Sequence, residues 1–386
     1  MLLTKLIKTS SKNIKDIKIS GLSLDSRTVK KNHLFFALEG TSTHGEKFVN
    51  QAIKNGASAI IGEKKINLKN NKIPFIAVKN PKKLLEKICI NFFQKKPKNI
   101  IAVTGTNGKS SVADFFHQIF SLNKISVASI GTLGIKANKK VFKSNLTSPD
   151  IISLHKQLEK LKRLNIDNVI IEASSHGLHQ GRLNGINFKA GIFTNFSQDH
   201  LDYHSSMKAY FESKMILFSK LLKKHKHIIL DSNIKEFLRL KKIAIKKKLT
   251  ILNISQKTTH LADSNKLNLI GDFQIKNLSM SILAARLCGL KNKDIMLSLK
   301  KIQNVNGRME FVRKLKNKAK VYIDYAHTPD ALNTALKALT EKFNCKITLV
   351  FGCGGERDIK KRSLMAKIAK KYCKKIYVTD DNPRKE

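Results

Sequence analysis

Residues 99–123 read NIIAVTGTNGKSSVADFFHQIFSLN. NIIAVT is an apolar run with strand character that passes directly into a glycine-bearing loop. SVADFFHQIFSLN, which follows, repeats its apolar residues at helical spacing. A strand that turns through glycines into a helix N-terminus offers backbone N–H groups and the positive end of a helix dipole to an anion. The loop residues Gly105, Thr106, Asn107, Gly108, Lys109, Ser110 and Ser111 therefore suit the phosphates of ATP. Lys109 can reach the β- and γ-phosphates, and the Ser110 hydroxyl can ligate Mg²⁺. The loop is shorter than the full G-x4-G-K-[ST] pattern because position 103 is Val.

Outward from this loop, strand and helix keep alternating. PDIISLHKQLEKLKRL is helical, NVIIEAS and GIFTNF are buried strands, MKAYFESKMILFSKLL is one helix, HIILD is a strand and IKNLSMSILAARLCGL is a helix. Such alternation implies a parallel sheet covered on both faces. Upstream, GLSLDSRTV, HLFFALEG, SAIIGE and IPFIAV are strand-like around the helical EKFVNQAIKNG, and lysine-rich QKKPKN closes this small mixed domain. Downstream, VYIDYAH, a helix over 329–343, KITLVFGCGG, a helix over 359–374 and KIYVTDD spell β-α-β-α-β, one mononucleotide-binding half of a doubly wound fold. The expected architecture is α/β in three domains, 1–93, 94–306 and 307–386. The middle one holds the phosphate-loop parallel sheet. The last is Rossmann-like and incomplete, with Arg384 expected to be mobile beside the chain end.

Composition narrows the function classes. With 386 residues and 41% hydrophobic content, the chain can bury two or three cores. No apolar run approaches a membrane span, and the start lacks an apolar signal core. Five cysteines, an odd number with no C-x-x-C pair, point to reduced cytoplasmic thiols rather than a disulfide frame or zinc finger. The formal charge of +46 invites a nucleic-acid reading. Yet only ten arginines stand among 64 lysines, and the lysines run through every segment. Nucleic-acid binders cluster their charge and use arginine forks and aromatics. The excess therefore reads as solvated surface with no specific nucleic-acid partner. Arg27, Arg182, Arg308, Arg357 and Arg384 instead fall inside distinctive segments.

VTGTNGKS resembles the ATP loop of the Mur ligases and folylpolyglutamate synthetases, three-domain enzymes that join an acid to an amine with ATP. The resemblance spans nearly the whole chain. LDSRTVKKNHLFFALEGTSTHG resembles the UDP-sugar domain of the family. EASSHGLHQGR, DHLDYH, the lysine of YFESKMILF and TDDNPR are similar to the branch that adds meso-diaminopimelate to UDP-N-acetylmuramoyl-L-alanyl-D-glutamate, in peptidoglycan synthesis for the cell wall. The resemblance implies a cytoplasmic monomer that works through an acyl phosphate. Siblings that add lysine, another amino acid or a dipeptide remain the nearest alternatives, with a basic nucleic-acid-binding ATPase as the alternative from another class.

Site residues follow from the resemblance one by one. Lys109, Lys214 and Arg308 are implied to be catalytic. Two Mg²⁺ ions are implied at Ser110, Glu172, His200 and Lys214, the lysine being carbamylated by CO₂ to N6-carboxylysine. The residues themselves agree at Glu172, which ends a strand where doubly wound sheets place ligands and offers a hard oxygen. A carbamate needs a neutral amine, which burial of Lys214 would favour. Leu24, Ser26, Thr41, Ser42 and Thr43 match positions holding the UDP-sugar, and Thr147, Ser148, Ser174, Gln180 and Arg182 match positions holding its phosphates and dipeptide. Hydroxyls and an arginine fork suit those groups, although each hydroxyl alone is as readily a turn or cap. Asn277 is implied on the adenine side, although GDFQIKN has Gln274 where the family pattern has Asn. Arg308 is implied at the γ-phosphate, and Asp324 and His327 of DYAHTPDAL near ribose and adenine. That segment also reads as a capped helix start with Pro just inside. Arg357, Asp381, Asn382, Pro383 and Arg384 are implied to take meso-diaminopimelate, whose distal carboxylate suits an arginine fork that lysine would leave unpaired.

Overall fold

The computed structural model describes residues 1–7, 16–40, 43–64, 73–138, 140–142, 146–254, 267, 269–356 and 358–384. Thr41, Ser42 and Arg357 lie outside these residues. The chain forms two compact units. One comprises Met1–Lys96, Asp150–Leu164 and Arg182–Ile186, and the other Pro97–Pro149, Asn165–Gly181 and Asn187–Glu386.

The first unit holds a parallel sheet of Gly21–Ser23, His33–Ala37, Ala57–Gly62 and Phe75–Ala77, in that order. Alternate residues leave a strand on opposite faces. Leu34, Phe36, Ala59 and Ile61 therefore pack with Leu85 and Ile88 of the helix Pro81–Phe92. Phe35, Ala37 and Ile60 pack with Val49 and Ala52 on the other side. The helix Ile151–Arg163, which the sequence alternation assigns to residues 94–306, contributes Ile151 and Ile152 to the core of this first unit. Asp150 starts it by accepting a hydrogen bond from Ser153 N.

In the second unit eight strands run in the order Thr250–Asn253, His227–Leu230, Ala190–Phe193, Asn99–Thr104, Asn168–Glu172, Val127–Gly131, Gly134–Ala137 and Lys140–Phe142. The first six are parallel, and the last two fold back antiparallel at one edge. Every residue of Asn99–Thr104 is buried. Above it, Phe115, Phe116, Ile119 and Phe120 of the helix Lys109–Leu122 meet Leu278, Ile282 and Ala285 of the helix Asp272–Leu287. Each large apolar side chain so buried contributes about 1.5–3 kcal/mol. The helix after the loop is thus covered by both the sheet and a second helix, so its apolar residues occupy more than one face. This packing fixes the loop at residues 105–108 where the parallel strands end, the end at which such sheets bind ligands.

Two expectations change. MKAYFESKMILFSKLL is an α-helix only over Met207–Ile216, and Leu217–Leu221 widens into a π turn closed by Leu222 N donating to Leu217 O. The C-terminal segment does not form one β-α-β-α-β sheet among the described residues. Lys320–Ile323 pairs antiparallel with Glu310–Lys314, while Ile347–Phe351 and Cys373–Val378 form a separate parallel pair. A tight turn explains the first pairing: Lys318 takes a positive φ, and Leu315 N donates to Ala319 O. The turn thereby sets Lys320–Ile323 beside its neighbour along the chain. Among the described residues, no helix is long and apolar enough to cross a membrane.

Candidate active site

The loop conformation depends on two glycines. Gly108, at φ 85°, begins the helix Lys109–Leu122, and a Cβ there would stand 2.6 Å from Asn277 Oδ1. Gly105 also has a positive φ, and a Cβ would collide with the Thr194 hydroxyl. A side chain at either position is strained by the positive φ and has to displace its neighbour. Asn195 braces the loop through its Oδ1, which accepts from Asn107 N at 2.8 Å.

Three basic side chains converge on this loop. Lys109 Nζ donates to the Gly105 and Thr106 carbonyls at 3.0 and 2.7 Å. Lys214 Nζ donates to the same Gly105 carbonyl at 2.7 Å, with the Tyr210 ring 4.2 Å beneath it. Arg308 Nη2 donates to Ser110 Oγ at 3.2 Å, and the guanidinium lies 4.2 Å from the centre of the Tyr325 ring. Burial lowers the pKa of both lysines and of Arg308. The shift takes Lys214 well below the ordinary lysine value, with the charge of Lys109 acting in the same direction. Ser110 Oγ donates to Glu172 Oε2 at 3.0 Å, and Thr132 N donates to Glu172 Oε1 at 3.0 Å. Asn277 and Gln274 are buried one turn apart. The Gln274 amide donates to the Arg308 carbonyl at 3.3 Å while its oxygen accepts from Asn277. The longer side chain at this position thus joins Asn277 to the Arg308 backbone.

The other candidates divide between the units. In the second unit, Thr147 and Ser174 line the same cavity as the loop, and Ser148 is buried with its hydroxyl donating to the Glu172 carbonyl. Ser174 caps a short helix through Gly177 N, and Gln180 donates to the Tyr203 hydroxyl. In the first unit, Ser26 is buried and donates to Gln51 Oε1, Leu24 packs against the apolar core, Thr43 is exposed, and Arg182 belongs to the same unit. Arg384 Nη1 donates to the Gly355 carbonyl at 2.8 Å. Gly355 N in turn donates to the Asn382 carbonyl at 3.1 Å, beside Pro383.

These residues fall into two neighbouring cavities. One, of about 340 Å³, holds the loop, Lys214, Glu172, Asn277 and Arg308. The other, of about 540 Å³, holds Asp358, Lys361, Asp381, Asn382 and Arg384. They share a wall of Asp199, His200, Asp324, Tyr325, Ala326 and His327. Sequence reasoning passed over Asp199, although DHLDYH contained it. Its Oδ2 lies 3.2 Å from His200 Nε2 and 3.4 Å from His327 Nε2. Burial alone would raise its pKa, but the His327 contact and the charges of His200, His327 and Lys361 hold it below the usual carboxylate range. Burial pushes His200 down to about 3 and raises Asp324, which accepts from Met309 N and Ala326 N. Thr328 caps the next helix through Ala331 N, with Pro329 at its start, so the capped-helix reading of DYAHTPDAL holds.

Family models match three successive stretches. The Mur ligase family catalytic domain covers residues 18–93, the Mur ligase middle domain 103–285 and the Mur ligase glutamate ligase domain 307–386. A protein of Bradyrhizobium diazoefficiens named UDP-N-acetylmuramoyl-L-alanyl-D-glutamate–2,6-diaminopimelate ligase is 36% identical, with 96% of this chain aligned to 81% of that one. The chain belongs to the Mur ligase family. A Rickettsia montanensis protein of the same name is 39% identical, over 97% of this chain and 84% of its own length. Among solved structures, a ligase of that name superposes with a TM-score of 0.75 at 28% identity, covering 100% of this Mur ligase and 83% of the other chain. The MurF ligase from Thermotoga maritima in complex with ADP shares the fold at a TM-score of 0.63 and 17% identity, over 94% of this chain and 88% of its own.

Proposed function

We propose that this Mur ligase adds meso-diaminopimelate to UDP-N-acetylmuramoyl-L-alanyl-D-glutamate, using ATP, in peptidoglycan precursor synthesis. The observation that carries the reading is the pair of cavities with a common wall. One has phosphate-loop chemistry and the other combines an arginine with several carboxylates, as an amino acid with two charged ends requires. The relatives named for that reaction align with nearly the whole chain. The odd cysteine count with no C-x-x-C pair supports a cytoplasmic reading. We read it as a monomer in three domains, 1–93, 94–306 and 307–386.

In this reading the D-glutamyl γ-carboxylate attacks the ATP γ-phosphorus, and the resulting acyl phosphate is taken by the amine. Lys109 and Arg308 bring positive charge to the transferring phosphoryl group, so catalysis is mostly positioning and electrostatics. Asn277 with Asp324 would orient adenine and ribose. The oxygens of Ser110 and Glu172 fit Mg²⁺, which keeps several waters and completes its shell with phosphate. Bound there, Mg²⁺ would neutralise phosphate charge. His200 and a carbamylated Lys214 would serve a second ion, and the depressed Lys214 amine suits reaction with CO₂. Leu24, Ser26 and Thr43 would face the UDP-sugar, and Thr147, Ser148, Ser174, Gln180 and Arg182 its phosphates and dipeptide. Asp381, Asn382, Pro383 and Arg384 would hold the distal end of diaminopimelate.

The test supplies the UDP-sugar dipeptide, ATP and Mg²⁺ with either meso-diaminopimelate or L-lysine, and follows phosphate release and product mass. Tripeptide product with diaminopimelate alone is expected. Equal or faster turnover of lysine would transfer the assignment to a sibling ligase, and no product with any amine would remove the ligase reading.

A further inference from the structure

Residues 220–248 read KLLKKHKHIILDSNIKEFLRLKKIAIKKK. They hold ten lysines and one arginine against two acids, a sharper excess than the 74 against 28 of the whole chain. Neither acid offsets the basic end. Asp231 is buried, and its Oδ2 lies 2.7 Å from Lys276 Nζ. Glu236 stands at the N-terminal end of the helix Phe237–Lys247, where a carboxylate suits the helix dipole. The lysines gather at the other end. Lys248 closes the helix in the left-handed conformation, and its carbonyl accepts from His225 N at 2.8 Å, while Lys226 O accepts from Thr250 N at 2.9 Å. Lys223, Lys224 and Lys226 of one turn are thereby set beside Lys246, Lys247 and Lys248.

The same helix exposes apolar side chains. Leu240 and Ala244, one turn apart, are its buried residues. Leu238 and Ile245 are 67% and 69% exposed. Seven residues make two turns, so both lie on one face opposite Leu240, with Lys241 on one side and Lys242 and Lys246 on the other. A single exposed aliphatic residue needs no explanation. Two aligned on one face and ringed by lysines match a helix lying in a bilayer interface, whose apolar side chains enter the acyl boundary while lysine stems reach the headgroups. Nucleic acid would be met by arginine forks and aromatic platforms. The one arginine of the segment, Arg239, is instead engaged within the protein, its guanidinium 4.7 Å from the centre of the Phe211 ring.

We propose that this helix face and the turn beside it are a docking surface for an anionic phospholipid bilayer, with Leu238 and Ile245 entering the interface and the surrounding lysines on headgroup phosphates. The charge is complementary, since each lysine near an anionic membrane strengthens binding about fivefold. None of these lysines lines either cavity, so the surface is separate from the ligase site and does not depend on its assignment.

The chain has no tryptophan, so Leu238→Trp supplies a single indole at the proposed surface. The full chain is mixed with phosphatidylcholine vesicles prepared with or without phosphatidylglycerol, and binding is followed by sedimentation and by indole emission. Binding should be at least about tenfold tighter with phosphatidylglycerol and should weaken with added salt. The indole should shift to shorter wavelength and be quenched by lipids brominated on their acyl chains. The double variant Leu238→Ser/Ile245→Ser and the triple variant Lys241→Gln/Lys242→Gln/Lys246→Gln should each weaken binding by about tenfold or more. Lys293→Gln/Lys300→Gln/Lys301→Gln removes the same charge elsewhere and should change it by less than about twofold. Circular dichroism checks that each variant is folded. No preference for anionic vesicles, an indole that bromines do not quench, or an equal loss in the two lysine triples would overturn the proposal, the last two being what charge alone produces. Vesicle binding unchanged in the Lys241/Lys242/Lys246 variant, with duplex DNA binding lost, would assign the face to nucleic acid instead.

Discussion

Replacing Lys214 with Met asks, without any reference to turnover, whether the buried amine is held neutral. Lys214 is 1% exposed, and no ion pair to it exists among the described residues. Burial, then the nearby charge of Lys109, depresses its pKa against a smaller pull from Asp199. In the unfolded chain a lysine titrates near about 10.4. Between its folded value and that point the unfolded chain carries a proton the folded chain lacks, so stability rises with pH across this window. The slope reaches about 1.4 kcal/mol per pH unit, and Lys214→Met lacks it. The variant loses one hydrogen bond, worth about 1 kcal/mol. The Gly105 carbonyl nevertheless keeps Lys109 Nζ at 3.0 Å. Lys214→Met should therefore be at least as stable as wild type near neutral pH, with the difference moving in favour of wild type as pH rises. Urea unfolding of both proteins from about pH 6 to pH 9 measures this. Lys96, held at about 8 chiefly by burial, titrates in the same range, and subtracting the curves removes it. Added bicarbonate should stabilise wild type alone if CO₂ is captured in the folded state. A pH-independent difference would mean that the folded protein keeps the ammonium, which cannot take up CO₂, and would refute the reasoning.

Lys109→Ala should lower ATP turnover by at least about 10²-fold and leave the circular dichroism of the fold unchanged, since Lys109 bonds only to carbonyls of its own loop; ligation near the wild-type rate would remove the phosphate-loop assignment. Gly108→Ala places a Cβ against Asn277 Oδ1 at a φ of 85°. It should cost about 1–2 kcal/mol and weaken ATP binding by calorimetry, whereas unchanged affinity and stability would show that the turn relaxes freely. His155 is buried, its ring facing the Asn184 carbonyl, and burial holds it down to about 4. Wild type should thus lose stability as pH falls from about 6.5 toward that value, because the unfolded histidine takes up the proton first. His155→Gln should flatten this loss in acid unfolding curves, and identical curves would contradict a neutral buried ring. DNA affinity should be weak, independent of sequence and steeply salt-dependent. Duplex binding tighter than about 10⁻⁸ M at physiological salt would return the lysine excess to a nucleic-acid role.

By itself the sequence determined whatever depends on neighbours along the chain. The run NIIAVT, the glycines at 105 and 108 and the helical spacing after them specify strand, loop and helix, because backbone freedom and burial period are local properties. The start of the helix Pro329–Phe343 is likewise encoded in Thr328 and Pro329. The motif segments pointed to the family in the same way. The partners in space were a different matter. Ser110 meets Glu172 across 62 residues and Arg308 across 198, because parallel strands bring their ends to one edge of the sheet. No spacing rule predicts such distances. Burial of Lys214 is also tertiary, since composition and spacing do not separate it from the other lysines, and the helix Met207–Ile216 sets its Nζ against the loop carbonyl. The strand at Lys320–Ile323 is where the sequence places one, but its partner differs from the expected sheet for the opposite reason, a neighbour at Glu310–Lys314 close along the chain. Asp199, between two histidines from separate segments, becomes visible only when the chain closes on itself. Electrostatic work between side chains depends on their separation in space, and the fold alone sets that distance.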